Sequence, residues 1–316
     1  MIGLEALYLI GGAFFAAIAV LSARDRSNPK RWKNTAFWGL FAVSFLFGSQ
    51  LSDLANGIVV IAMVLVAGFG GLGRGEPETT GPEARAESAA RLGNRLFLPA
   101  LAIPATALAG TFAFKRPELA GLVDPKQATL VSLILGVFVA LAIAMPMLRA
   151  KPVTPLQEGR RLLDTVGWAA VLPQMLAALG AVFAAAGVGE AIGHLAGQSL
   201  PEGSRLAAVA AYTFGMAIFT MIMGNAFAAF PVMTAGIGLP LIVLKFGGDP
   251  AIVGAIGMLS GFCGTLMTPM AANFNVVPAA LLELSDRNGV IRAQVPTAIL
   301  LLLANTALMY VLAFRF

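Results

Sequence analysis

The sequence predicts an all-α polytopic membrane protein with about ten transmembrane helices, some of them broken by Pro and Gly or folded as re-entrant hairpins. Of the 316 residues, 58% are hydrophobic and only 12% are charged, and the mean hydropathy is +0.84. Soluble domains carry about 25% charged residues. The apolar residues also fall in runs close to the roughly 20 residues that a helix needs to cross the hydrocarbon core. We therefore expect residues 1–316 to form a single transmembrane domain in a lipid bilayer.

Each predicted span is an apolar run that ends where charged residues, Gly or Pro return. The first run has the acidic Glu5 near its start and a basic cluster after it, which is the reverse of a cleavable signal peptide. In order, the predicted spans are 2–21, 36–48, 58–69, 96–114, 130–148, 165–188, 206–224, 227–244, 252–267 and 295–314. Residues 268–282 fit either a crossing segment or a re-entrant hairpin.

The distribution of Lys and Arg predicts the orientation. Fifteen of the 21 basic residues fall in the loops after the first, third, fifth and ninth spans. Because short cytoplasmic loops collect Lys and Arg, these loops are expected in the cytoplasm and both termini outside, in a bacterial inner membrane. The net charge of +5 therefore reflects topology, and we expect no nucleic-acid partner.

One long polar insert, residues 71–95, is rich in Gly, Glu, Arg and Thr, and it is expected to be a mobile cytoplasmic loop. Residues 68–73 at its start match the pattern Gly-x-Gly-x-x-Gly. A dinucleotide site requires a preceding strand within a βαβ unit, whereas this match follows a membrane span, so we exclude it.

Two short matches suggest an internal repeat. The pattern Thr-x-x-Trp occurs at residues 35–38 and again at 165–168, an offset of 130. Gly-Asn followed by Pro occurs at 93–99 and again at 224–231, an offset of 131. These offsets predict repeat halves at about 30–150 and 160–282, and the sequence leaves open whether the halves are parallel or inverted.

The stretch 260–278 combines helix breakers with uncharged hydrogen-bonding groups inside an apolar region. An unpaired backbone group in hydrocarbon costs several kcal/mol, so a broken helix there must be buried in protein or line a watery cavity. One interpretation is a site for a small solute or ion at mid-membrane, and the other is a Pro-kinked helix with packing threonines. The candidate site residues of this stretch are Thr265, Thr268, Asn273 and Asn275.

Two further stretches have similar chemistry. Residues 223–241 contain Gly224-Asn225 and Thr234 among several Pro and Gly residues, and Asn225 could alternatively cap a helix. Within the sixth span, Pro173 frees a backbone carbonyl beside Gln174, whose amide can both donate and accept hydrogen bonds. Together with the first stretch, they predict a substrate or ion site formed by Gln174, Asn225, Thr234, Thr265, Thr268, Asn273 and Asn275.

The chemistry of this site indicates binding rather than catalysis. The spans contain no pair of embedded carboxylates and no convincing mid-membrane Lys or Arg, and the chain has one His and one Cys, so we predict a protein that is not an enzyme. A bound carboxylate would be held by backbone N–H groups at helix N-termini. Oxygen atoms of Asn225, Thr268 and Asn273 could bind Na⁺, and we expect no other cofactor.

The motifs also resemble a known family. Residues 224–231, 234–238 and 268–275, with 172–175 and 93–97, are similar to the larger membrane subunit of a bacterial 5-oxoproline (pyroglutamate) transporter, a family first described as a domain of unknown function. The resemblance implies a small-carboxylate substrate, a second, smaller membrane subunit, and distant relation to the ion-transporter superfamily, whose folds use inverted repeats and re-entrant hairpins.

Three functions remain open at this point. The first is secondary-active transport of a small carboxylate, coupled to Na⁺ or H⁺. The second is a non-transporting subunit that assembles or scaffolds a permease complex. A channel is the third, although no ring of charged residues is visible in the sequence.

Overall fold

A computed structural model describes residues 1–76, 81–119, 121–201, 203–282 and 284–314, without the side chains of Pro82, Leu176, Ala177, Ala196 and Asn273. The chain forms two compact units, Met1–Gly167 and Trp168–Phe316. Both units are helical in their described parts, and a β-bridge pairs Ile2 with Val123. The predicted all-α class is therefore confirmed.

Unit 1 contains seven α-helices in its described part. They are α1 (Leu4–Arg24), α2 (Arg31–Phe47), α3 (Asp53–Gly68), α4 (Pro82–Leu92), α5 (Phe97–Ala113), α6 (Ala128–Leu148) and α7 (Thr154–Val166). Helix α4 lies within the segment 71–95, which we expected to be a loop. This part is helical because it has a Pro in its first turn and is rich in Ala, Glu and Arg, which favour helices.

Two antiparallel helix pairs organise unit 1. Helices α1 and α2 pack through an aromatic cluster in which Phe15 stacks on Trp38 with ring centroids 6.0 Å apart. Helices α5 and α6 approach through glycine, since a Cβ added to Gly136 would lie 2.8 Å from the carbonyl oxygen of Ile103. Small residues at such contacts let helix backbones approach closely in a membrane.

The ends of α1, α3 and α7 meet at one end of unit 1. Arg160 of α7 forms an ion pair with Asp25 after α1 (3.4 Å), and the Lys33 ammonium donates to the carbonyl of Phe69 at the end of α3. Three of the basic segments that the sequence places on one side of the membrane therefore lie together.

Unit 2 begins with a 3₁₀ turn, and its last described helix has 24 residues. Its elements are α8 (Leu172–Ala185), α9 (Val188–Ser199), α10 (Arg205–Met223), α11 (Ala226–Met233), a π-helix (Thr234–Lys245) continuous with α11, α12 (Pro250–Leu266), α13 (Ala272–Leu281) and α14 (Gly289–Leu312). The π-helix is unusual because such helices are normally single-turn bulges, often near functional sites.

Helices α10 and α12 run parallel along a glycine seam. Added Cβ atoms on Gly257, Gly261 and Gly264 of α12 would meet α10, and the Gly264 Cβ would lie 2.3 Å from the carbonyl oxygen of Ala217. The residue numbers at successive contacts rise together on both helices, so they point the same way. Helix α14 runs antiparallel to both, with the Thr213 and Thr306 hydroxyls 2.8 Å apart.

Seven helical runs of the described residues are long and apolar enough to cross a membrane. They are Leu4–Arg24, Glu83–Ala113, Ala128–Leu148, Thr154–Ala185, Arg205–Met223, Ala226–Lys245 and Gly289–Leu312. The predicted spans 36–48, 58–69 and 252–267 coincide with α2, α3 and α12, which have only 16 or 17 residues each. The predicted span 165–188 is interrupted, because Gly167 has a φ of +59° and a 3₁₀ turn precedes α8.

Candidate functional site

Two helix breaks of unit 2 lie against each other. Gly224, between α10 and α11, has a φ of +75°, a conformation that favours glycine. A Cβ added to Gly224 would lie 2.5 Å from the carbonyl oxygen of Met270, which belongs to the break between α12 and α13. The C-terminal ends of α10 and α12 and the N-terminal ends of α11 and α13 therefore meet. We call this region the junction.

Thr268 links the two breaks by a side-chain hydrogen bond. Its hydroxyl donates to the carbonyl of Met221 in the last turn of α10 (2.9 Å) and accepts from the backbone N–H of Met270 (3.2 Å). The last four carbonyls of a helix have no partner within the helix. Thr268 thus satisfies one of them in α10 from the neighbouring break.

Asn275 likewise satisfies a backbone carbonyl at the C-terminal end of α12. Its side chain is fully buried, and its Nδ2 donates to the carbonyls of Thr265 (2.8 Å) and Thr268 (2.7 Å). The Thr265 hydroxyl donates to Phe262 in its own helix (2.6 Å). The Oδ1 atom of Asn275 is also buried, and it has no hydrogen-bond partner among the described residues. A buried acceptor without a partner costs free energy, so this oxygen is a candidate ligand atom for a cation or a donor.

Asn225 caps the start of α11, as one of the two interpretations of the sequence predicted. Its backbone is extended, and its Oδ1 accepts from the N–H of Phe227 (2.8 Å). The side chain is half-buried and follows directly after Gly224, so it lies at the junction. Its Nδ2 group remains free to meet a ligand in the part of the chain that the structure describes.

Thr220 is a junction residue that the sequence analysis missed. It lies in the last turn of α10 and is fully buried, and its hydroxyl has no hydrogen-bond partner among the described side chains and backbone. The sequence spacing could have identified it, because Thr220 precedes Gly224 by one helical turn and therefore lies on the same helix face.

The remaining predicted site residues lie elsewhere or outside the description. Thr234 begins the π-helix, and its hydroxyl pairs with that of Tyr212 (2.8 Å). The fully buried Tyr212 ring lies between Gly238 and Gly257.

Gln174 is exposed in the first turn of α8. The side chain of Asn273 lies outside the described residues. The junction thus unites Asn225, Thr265, Thr268 and Asn275.

The junction contains helix ends with partial negative charge and helix ends with partial positive charge. Helix C-termini carry partial negative charge and N-termini partial positive charge. The ends of α10 and α12 can attract a cation, and the starts of α11 and α13 can attract an anion. Among the described residues, no group of three or more His, Cys, Asp or Glu side chains is placed to hold a metal ion. Binding here would depend on amides, hydroxyls and backbone groups.

Comparisons with known proteins give one match. No curated protein and no solved structure is significantly similar to the chain. One protein family, described as "Protein of unknown function (DUF979)", matches residues 5–314. Since this match covers nearly the whole sequence, the chain belongs to the DUF979 family.

Proposed function

We propose that this protein is a secondary-active transporter, or a membrane subunit of one, that moves a small carboxylate coupled to Na⁺ or H⁺. The observation that carries the proposal is the contact between Gly224 and Met270, which joins four helix ends at one place. Opposed half-helices with free backbone groups are how transporters bind anionic substrates and ions near the bilayer midplane.

The substrate is proposed to bind at the N-terminal ends of α11 and α13. Backbone N–H groups there would accept a carboxylate without a Lys or Arg. Asn225 adds an amide donor, and Asn273 and Gln174 remain proposed ligands. The resemblance to the 5-oxoproline transporter subunit suggests 5-oxoproline, whose single carboxylate and ring amide suit a site of this polarity.

The coupling cation is proposed to bind at the C-terminal ends of α10 and α12. Na⁺ prefers oxygen ligands, and the sequence suggested Asn225, Thr268 and Asn273 for it. The buried Oδ1 of Asn275 and hydroxyl of Thr220 add two oxygens that lack a partner among the described residues. No carboxylate contributes to these contacts in the described part of the chain, which favours Na⁺ over H⁺.

The finer topology belongs to the same proposal: ten crossings in a bacterial inner membrane, both termini outside, and repeat halves at about 30–150 and 160–282. Each half contains a helix broken at a glycine with positive φ that precedes an asparagine. These glycines are Gly93 (φ +50°) and Gly224 (φ +75°). Matching breaks at matching positions support an internal duplication.

Transport is tested with the purified chain in proteoliposomes. Labelled 5-oxoproline and competing carboxylates are supplied under an imposed Na⁺ or pH gradient. We expect uptake driven by one gradient, and its loss in the variant N273L/N275L. Thr213→Val, which changes a buried hydroxyl bonded to α14, is the matched control and should transport. Absence of uptake of every carboxylate under both gradients contradicts the proposal for the chain alone.

A scaffolding role in a permease complex is the second candidate. It is favoured by the helical run Glu83–Ala113, because an apolar stretch of 18 residues within this run has no buried residue in the structure. A second, smaller membrane subunit would cover part of this run. Co-purification with such a subunit, together with uptake only by the two-subunit preparation, would favour assembly over transport by this chain alone.

A further inference from the structure

A cavity of about 300 Å³ lies in unit 1 beside the C-terminal end of α1 and the first half of α7. It is lined by Arg24, Asp25, Arg26, Ser27, Glu76, Gln157 and Arg160. Ligand pockets for small molecules begin at about this volume. None of these residues takes part in the junction of unit 2, so the cavity is a separate candidate site.

The inner wall of the cavity is a buried ion pair. Arg160 Nη1 lies 3.4 Å from Asp25 Oδ2, with side chains 12% and 9% exposed, and it also donates to the carbonyl of Leu21 (3.1 Å). The Nε of Arg160 is buried without a hydrogen-bond partner among the described residues. Arg160 therefore adds a positive charge to the cavity wall, while its buried guanidinium holds Asp25 and the carbonyl at the end of α1.

A chain of hydrogen bonds holds the second wall. The N–H of Glu76 donates to the Ser27 hydroxyl (2.8 Å), which donates to Asp25 Oδ1 (2.5 Å). The backbone of Gly75 closes on the same carboxylate, since an added Cβ would lie 2.0 Å from Asp25 Oδ2. Asp25 Oδ1 is therefore occupied, while Oδ2 has only the 3.4 Å ion pair with Arg160 and no hydrogen-bond partner among the described residues. The wall is positioned by contacts that do not involve a ligand.

Two exposed arginines complete the lining. Arg24 ends α1 and Arg26 follows in the loop, and neither forms an ion pair among the described residues. Three arginines against Asp25 and Glu76 give the lining a net charge of +1. Because Asp25 is already matched to Arg160, the free charges are two guanidinium groups and the Glu76 carboxylate. On the orientation that the Lys and Arg distribution predicts, this end of unit 1 faces the cytoplasm.

We propose that this cavity binds a phosphate-bearing anion through Arg24 and Arg26, with the buried positive charge of Arg160 behind them. Arginine binds phosphate through two parallel hydrogen bonds, and basic pockets between helices on the cytoplasmic side bind phospholipid headgroups. The phosphate could belong to an anionic phospholipid or to a soluble phosphate ester. A phospholipid phosphodiester is a monoanion and a phosphate monoester carries up to two negative charges, and both present anionic oxygens that accept hydrogen bonds from arginine.

The test measures thermal unfolding of the full-length purified chain with two probes. One arm adds inorganic phosphate, with chloride at equal ionic strength as reference. The other compares nanodiscs of phosphatidylcholine with nanodiscs containing phosphatidylglycerol. We expect at least one probe to stabilise the protein, and R24Q/R26Q to bind that probe about tenfold more weakly, because two charge-assisted hydrogen bonds are lost.

The control variant R149N/K151Q removes two charges from the exposed connection between α6 and α7. It should respond to the probe as the parent chain does. Stabilisation by phosphatidylglycerol alone assigns the site to a lipid headgroup, and stabilisation by inorganic phosphate assigns it to a soluble phosphate. The proposal is overturned if neither probe stabilises the chain, or if R24Q/R26Q and R149N/K151Q respond equally. Both pairs of residues are exposed, so unliganded stability should be unchanged.

Discussion

Asn34 donates a hydrogen bond from its Nδ2 to Asp164 Oδ1 over 2.9 Å, and the two residues are 130 positions apart. This is the offset of the Thr-x-x-Trp match, and each residue directly precedes the Thr of its copy. The contact joins the first turn of α2 to the last turn of α7, so the two copies of the match lie together but at opposite kinds of helix end.

Asp164→Ala should destabilise unit 1. The carboxylate accepts from both Asn34 and Trp38, whose side chains are fully buried, so its removal leaves two buried donors unpaired. Each unpaired buried donor costs about 1–3 kcal/mol. Thermal unfolding in detergent measures the loss. Glu87→Ala, on the exposed surface of α4, is the control and should unfold as the parent chain does. Equal stability of the two variants would show that the network contributes nothing.

Gly224→Ala should prevent the two breaks from meeting. A Cβ would collide with the carbonyl of Met270, and the positive φ of Gly224 is unfavourable for alanine. We expect little monodisperse protein on size-exclusion chromatography. Gly57→Ala, in the second turn of α3, is the control, because its added Cβ meets nothing within 4 Å. Normal yield and folding of Gly224→Ala would show that the two breaks do not depend on this contact.

Thr220→Val separates ion binding from stability. Because the Thr220 hydroxyl has no partner among the described residues, its loss should leave the folded protein as stable or more stable. If the hydroxyl binds the coupling cation, the affinity for ²²Na⁺ should fall several-fold. Thr213→Val loses hydrogen bonds to Val209 and Thr306, so it should be less stable and bind Na⁺ normally. The opposite pattern would remove Thr220 from the cation site.

Gly73→Ala should release the segment after α3 from unit 1. Asn34 holds Gly73 by two hydrogen bonds, of 2.8 and 2.9 Å, and an added Cβ would lie 2.1 Å from Asn28 Oδ1. We expect faster proteolysis around residues 70–76. Gly81→Ala is the comparison, since its Cβ would be unobstructed. Equal cleavage rates in the two variants would argue against the docked segment.

The sequence predicted the helical class and most helix positions well, because apolar runs are a local property. It predicted poorly the positions at which a helix ends inside a continuous apolar run. The span expected at 165–188 begins in the last turn of α7 and continues, after Gly167 with its positive φ and a 3₁₀ turn, as α8 only from Leu172 to Ala185. Similarly, Thr234 had the right chemistry, yet its hydroxyl is bound to Tyr212, which no spacing rule connects to it.

Composition and hydropathy by themselves determined that the chain is helical and has helices apolar enough to cross a membrane, since every apolar run must satisfy its own backbone hydrogen bonds in lipid. They also located the two helix breaks, because Gly, Pro and Asn act on their immediate neighbours. Only the tertiary structure decided that those breaks touch and that Asn275 and Thr268 cap helices other than their own. Which helix end faces which depends on packing between segments distant in the chain, and no local pattern encodes that distance.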